Sequence, residues 1–411
     1  MIDEPQGSGN RGARAPRQGL LARLRRLDPN VRSLGLVSFF ADFSTELVYP
    51  LFPIFVTSVL GAPAAVLGLI EGIAEGTANI TRYPFGQWSD YIGRRRVFAS
   101  AGYGVAAVGK LLLAVAFVWP VALLGRFVDR LGKGMRTAPR DALIAASTPP
   151  EQRGIAFGLH RTMDTLGAVV GPLVALLLIE LHVPIRWVFA IAVVPGILSV
   201  GVIALFVREH AQPRGQTDFH PRLPASGAFR WLLASSLLFS VGNSSDVFIL
   251  LKARSVGLGA AGVILLYILY NVTYSAFSLP AGNLSDRVGQ VPLVFGGYVV
   301  FALVYGGFAA AGSWPWLAGL FAFYGIYIAA TEGTSKALIS RAIPRQEHGS
   351  GLGLYYTATG VASFAASSLG GVLWSAVGPW ATFAYGAAFA LLAAIVLGVA
   401  HGRGVEAAIN D

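Results

Sequence analysis

Ionisable side chains stand inside stretches that are otherwise apolar, and their spacing is helical. Asp42 and Glu46 are four residues apart, so on a helix they share one face. Glu71, Glu75, Asn79 and Arg82 follow at steps of four, four and three, again one stripe, with Gly68, Gly72 and Gly76 beside it. Small residues at that spacing let a second helix approach closely. The stretch from Gly125 to Arg136 is the densest: Arg126, Asp129, Arg130 and Lys133 fall on one face, and Arg140 and Asp141 come soon after. His160, Arg161 and Asp164 follow, whereas the second half adds little beyond Asp246, Lys252, Glu332 and Lys336. Such groups could carry protons, bind a charged solute, or neutralise one another as pairs that fix helices. An ionisable group at the centre of a membrane span costs at least about 2.5–3.5 kcal/mol, so it points to function by default.

The elements that position these groups follow from composition. The chain has 411 residues, a net charge of +10, 55% hydrophobic and 13% charged residues, and a mean hydropathy of +0.62. Soluble domains carry roughly 25% charged residues, so a soluble enzyme is excluded in practice, and disorder is excluded by the hydrophobicity. A polytopic all-α membrane protein remains. Cysteine is absent and the six histidines are scattered, so no disulfide, thiolate nucleophile or metal site is expected. Gly132-Lys133-Gly134 lacks the strand and spacing of a phosphate-binding loop. Neither an enzyme nor ATP coupling is therefore expected, and no cofactor.

A membrane helix needs about 20 mainly apolar residues. On that basis spans are expected near 33–58, 62–84, 97–118, 119–144, 155–180, 185–207, 229–252, 260–281, 291–311, 314–341, 350–375 and 378–400. The one long polar connector, 208–228, divides a bundle at 33–207 from a second at 229–400, between a basic tail at 1–32 and a short one at 401–411. Arg94-Arg95-Arg96, Arg140, Arg153, Arg341, Arg345 and the tail all fall on one side. The positive-inside rule then makes both termini cytoplasmic. The tail is expected to set topology and not to bind nucleic acid.

The two halves repeat. Gly86-Gln-Trp-Ser-Asp90-Tyr-Ile-Gly93 recurs as Gly282-Asn-Leu-Ser-Asp286-Arg-Val-Gly289, 196 positions later. Ala142-Leu143-Ile144, Pro149, Gly154 and Gly158-Leu159 recur 195 positions later as Ala337-Leu338-Ile339, Pro344, Gly349 and Gly353-Leu354. Two related halves with a site between them at the midplane is the layout of a secondary transporter. The Gly86-to-Arg96 motif after the second span, with its degenerate copy after the eighth, resembles the loop signature of the major facilitator superfamily.

That resemblance implies two pseudo-symmetric six-helix bundles, moved against each other to expose a site to alternate sides. It implies a conformational latch at Gly86, Asp90, Gly93 and Arg94, with Asp286 in the second copy and Arg94 as ion-pair partner of Asp90. Arg126 resembles an arginine associated with proton transfer in proton-coupled members. Gly167, Gly171 and Pro172 match the first part of a fifth-span antiporter signature, although Ala175-Leu176 stand where its final glycines belong.

Proton coupling is therefore expected at Asp42, Glu46, Glu71, Glu75, Arg126 and Asp129. Asp42 and Glu46 are the expected carriers. A substrate cavity is expected at Arg130, Lys133, Asp164, Asn243, Asp246, Tyr270, Asn271, Tyr327 and Glu332. Arg126 and Arg130 would suit an anion, and Asp42, Glu46 and Glu71 a cation. The leading expectation is a monomeric proton-coupled exporter of a small molecule in a bacterial inner membrane. Proton-coupled uptake of an organic anion or metal chelate is the alternative within transport, and a transport-inactive membrane sensor the alternative outside it.

Overall fold

The computed structural model describes residues 27–149, 152–209, 226–343 and 348–405. Residues 1–26, most of the 208–228 connector and the end of the second tail thus lie outside the described residues. Among the described residues every regular element is helical. The first bundle holds α1 (Pro29–Val59), α2 (Ala64–Ile92), α3 (Arg95–Ala114), α4 (Trp119–Ala146), α5 (Arg153–Glu180) and α6 (Ile185–Phe206). The second holds α7 (Gly227–Ser255), α8 (Ala260–Val288), α9 (Gln290–Ala310), α10 (Trp314–Arg341), α11 (His348–Ala376) and α12 (Pro379–Gly402). Nine of these are long and apolar enough to cross a membrane. The other three are α2 and α4, which carry the charged stripes, and α11, which is rich in Gly, Ser and Tyr.

The repeat is visible in the packing. In the first bundle α3 packs on α4 and α6, α2 on α4, and α1 on α5 and α6. Six positions on, α9 packs on α10 and α12, α8 on α10, and α7 on α11 and α12. The bundles meet along two equivalent seams, α2 with α11 and α5 with α8.

Two helices are irregular where their sequences require it. In α1 the run Tyr49-Pro50-Leu51-Phe52-Pro53 removes two backbone donors, and the helix tightens over Tyr49–Leu51 and widens over Phe55–Val59. In α7 the turn-forming run Asn243-Ser244-Ser245-Asp246 splits the helix into Gly227–Gly242 and Val247–Ser255. The second piece packs against the distorted end of α1, where Leu51, Phe52, Phe55, Phe248 and Leu250 are fully buried. Beside them, a Cβ at Gly68 of α2 would sit 2.3 Å from the Ser367 carbonyl oxygen of α11. This apolar layer seals one end of the molecule.

Gly68→Leu is therefore expected to force the sealed end apart. In the otherwise cysteine-free chain, a Ser367→Cys thiol should become reactive to reagents added from that end, and the thermal midpoint should fall. A protected thiol at an unchanged midpoint would contradict the packing.

Candidate functional site

Close approach of helices assembles the charges. A Cβ at Gly109 of α3 would meet the Asp129 backbone nitrogen at 2.4 Å, and one at Gly132 of α4 the Gly102 carbonyl oxygen at the same distance. With α3 and α4 in backbone contact, Lys110, 3% exposed, donates to Asp129 Oδ1 at 2.8 Å. Arg126 binds Glu71 through two parallel bonds, Nε–Oε1 at 2.6 Å and Nη2–Oε2 at 3.1 Å. Its Nη1 lies 3.7 Å from Asp129, and its guanidinium stands over the rings of Tyr49 and Phe52. Glu71 also accepts from Ser245 Oγ at 2.9 Å, so the break in α7 places a donor from the second bundle on the first bundle's buried pair. Arg130 lies 3.5 Å from Glu75 and 4.0 Å from Asp129.

In front of this network lies a cavity of about 540 Å³ between the bundles. Asp42, Glu46, Glu75, Asp129, Arg130, Lys133 and Asp164 line it from the first bundle; Asp246, Tyr270, Asn271 and Glu332 line it from the second. Glu71 and Arg126 stand behind this wall, 0% and 1% exposed. Asn243 and Tyr327 lie outside the lining and bond to each other at 3.4 Å, Asn243 Nδ2 donating. Toward the end where α4 finishes and α5 starts, the cavity meets a second one of about 650 Å³ between α8 and α10, with Arg161, Tyr274, Glu332 and Lys336 shared. Asp141, on the wall at that end, has a side chain 43% exposed. One end is open and the other sealed.

The cavity's carboxylates fall into two groups. Glu75, Asp129 and Glu332 have cations beside them, Glu332 with Lys336 at 2.9 Å and Arg161 at 3.7 Å. Asp42, Glu46 and Asp246 have none within 4.0 Å among the described residues. Hydroxyls serve instead: Tyr267 donates to Glu46, and Tyr324 to Asp246 at 2.7 Å. Asp164 accepts from Ser38 and lies 3.5 Å from His160 Nδ1. The Glu46–Tyr267 bond joins α1 to α8 and so crosses between the bundles. Among the described residues no three His, Asp or Glu side chains converge as metal ligands.

The loop motif is arranged differently from expectation. Gly93 ends α2 with φ +71°, a left-handed turn that suits glycine, and Gly86 faces Ala138 of α4. The tight reversal brings Arg95, in the first turn of α3, back onto Asp90 at 2.7 Å. Arg95, not Arg94, is the partner. The pair lies within the first bundle, and the side chain of Asp286 lies outside the described residues.

Gly167 and Gly171 press α5 against the face of α1 that bears the two carboxylates. Added Cβ atoms would stand 3.0 Å from Asp42 Cβ and 2.6 Å from Glu46 Cβ. Gly171→Leu is thus expected to displace α1 and abolish transport while Gly158→Leu, at an open position on the same helix, is tolerated. Solute flux in reconstituted vesicles, with yield and thermal midpoint as controls, checks this, and equal flux in both variants would contradict it.

Three participants were missed from sequence: Lys110, Tyr49 and Ser245. Lys110 had a signal, being a lone cation midway along an apolar span and next to Gly109. Tyr49 and Ser245 had none, because an aromatic or a serine in a span is ordinary.

Comparison with known proteins places these features in context. The family model of the Major Facilitator Superfamily matches residues 34–253 and 231–405. An uncharacterized MFS-type transporter of Methanocaldococcus jannaschii is 36% identical over 384 residues, 91% of this chain and 95% of its own. The multi-drug resistance efflux pump PmrA of Streptococcus pneumoniae is 27% identical over 334 residues, 77% of this chain and 82% of that one. Among solved structures, a POT family transporter in complex with 5-aminolevulinic acid superimposes with a TM-score of 0.79 at 13% identity, covering 93% of this chain and 96% of that one.

Proposed function

Because the chain belongs to the major facilitator superfamily, and is thus a multi-pass membrane transporter and not an enzyme, we propose that it drives a small solute across the membrane with protons, by alternating access. Asp42 and Glu46 carry this reading. They are carboxylates on one helix face, without a close cation, and they face a cavity open at one end. Carboxylates so placed can take up and release protons from that end, and Glu46 touches the opposite bundle through Tyr267. Rocking the bundles would break the Glu71–Ser245 contact and the Gly68 seam as the other end closes.

The open end carries Arg94, Arg95, Arg96, Arg140 and Arg341. The positive-inside rule puts that end, and with it both termini, in the cytoplasm. The protein is then a monomer of the bacterial inner membrane facing inward, without cofactor or nucleic-acid partner. The Asp90–Arg95 pair inside one bundle fits a latch that has been released. Export is supported by the likeness to a relative named as an efflux pump and by Gly167, Gly171 and Pro172 beside the carboxylates. Uptake of an organic anion with protons is the second reading, favoured by Lys133 and Arg136, which have no carboxylate within 4.0 Å among the described residues.

Vesicles holding the purified protein, given an imposed pH gradient and a panel of anionic, zwitterionic and cationic solutes, test the proposal. Accumulation of a solute that collapses with a protonophore is expected, with the direction set by export or uptake. Binding without gradient-driven accumulation would overturn it in favour of a sensor.

A further inference from the structure

Weakly compensated cations are concentrated on one wall of the cavity. Arg126 is taken up by Glu71 and Arg140 by Asp141, but the cations between them along α4 are less compensated. Arg130 has only the looser contacts with Glu75 and Asp129, and Lys133 and Arg136 have no carboxylate within 4.0 Å among the described residues. Arg82 of α2 joins them on the same wall. Arg130 is 3% and Arg136 7% exposed, and the Nε atoms of Arg82, Arg130 and Arg136 are buried without a hydrogen-bond partner. Arg136 lies against the ring of Tyr103 and Arg82 against that of Tyr356. A ring face holds a guanidinium plane but leaves its in-plane N–H donors unused. Buried guanidinium donors left open in this way match the planar, multivalent geometry of carboxylate and phosphate oxygens.

We propose that Arg82, Arg130, Lys133 and Arg136 form the seat of a multivalent oxyanion, so that the transported solute is a soluble organic phosphate, phosphonate or polycarboxylate. This rests on the cavity being the transport site and holds for either direction of transport. Its 540 Å³ suits a ligand of drug-like size or smaller. The carboxylates Asp42 and Asp164 line the same cavity, lie within 4.0 Å of none of these four cations, and remain for protons.

The full chain in nanodiscs of neutral lipid would be titrated calorimetrically with inorganic phosphate, pyrophosphate and citrate, and with tetraphenylphosphonium as a cationic control. Binding of at least one oxyanion is expected. Its Kd should rise tenfold or more in Lys133→Gln and Arg136→Gln, rise less in Arg136→Lys, and stay unchanged in Arg254→Gln, whose arginine bonds the Leu258 carbonyl outside the cavity. Arg136→Lys, with the thermal midpoint measured in parallel, separates loss of the seat from loss of the fold. Three results would overturn the proposal: no oxyanion bound, binding of tetraphenylphosphonium alone, or an oxyanion Kd indifferent to both glutamine variants. Oxyanion binding without proton movement would sink the coupling and spare the seat; proton movement evoked only by cations would do the reverse.

Discussion

Arg126→Ala is expected to be the most damaging single substitution in the chain. It strips the bidentate partner from Glu71, which is 0% exposed, and removes one of the charges beside Asp129. Leaving one member of a buried pair uncompensated costs about 3–5 kcal/mol. The variant should therefore show poor yield, a sharply lower thermal midpoint in detergent, and no transport. Glu71→Leu combined with Arg126→Met should recover most of the midpoint, because a buried ion pair replaced by apolar groups of similar volume is often neutral or better. It should not recover transport, since Ser245 of the second bundle then loses its acceptor. A double variant as unstable as the single would contradict this, by showing that the pair itself, and not only the charge left uncompensated, holds α2 to α4.

Glu46→Gln should leave the fold and solute exchange intact while uncoupling them from protons. The side chain keeps its shape and can still accept from Tyr267, but it cannot ionise. Coupling free energies between sites are about 1–3 kcal/mol, or about 5–150-fold in affinity. The solute gradient sustained by a pH gradient should collapse toward unity, while exchange of labelled for unlabelled solute continues. Tyr267→Phe should weaken coupling less, because the carboxylate persists. Wild-type accumulation in Glu46→Gln would move the proton site to Asp42 or Asp246.

Much of the fold was legible in the sequence, because spans and repeat are carried by composition and fixed offsets. Gly86 to Gly93 and its copy already imply two related halves, whereas the helices that meet at the two seams are given by the packing. The breaks were not legible. The run Gly242-Asn-Ser-Ser-Asp246 sits within an apolar span, and although its turn-forming residues weaken a helix, only the structure shows that it unwinds. In the site, the spacing on α2 and α4 shows which charged residues share a helix face, yet pairing depends on which helix lies opposite. Thus Asp129 pairs with Lys110 of α3, a contact made by Gly109, and Asp90 takes Arg95 because the Gly93 turn sets the register. Glu71 and Arg126, expected from sequence as proton-coupling groups and as partners for a charged solute, neutralise each other behind the cavity wall.

The most direct test of proton-coupled alternating access is internal pH in proteoliposomes of purified protein, recorded as solutes are added, for the wild type and Asp42→Asn side by side. A solute-evoked proton flux in the wild type that disappears in Asp42→Asn is the predicted result. Solute that moves with no proton flux, or a flux equal in both proteins, would contradict it.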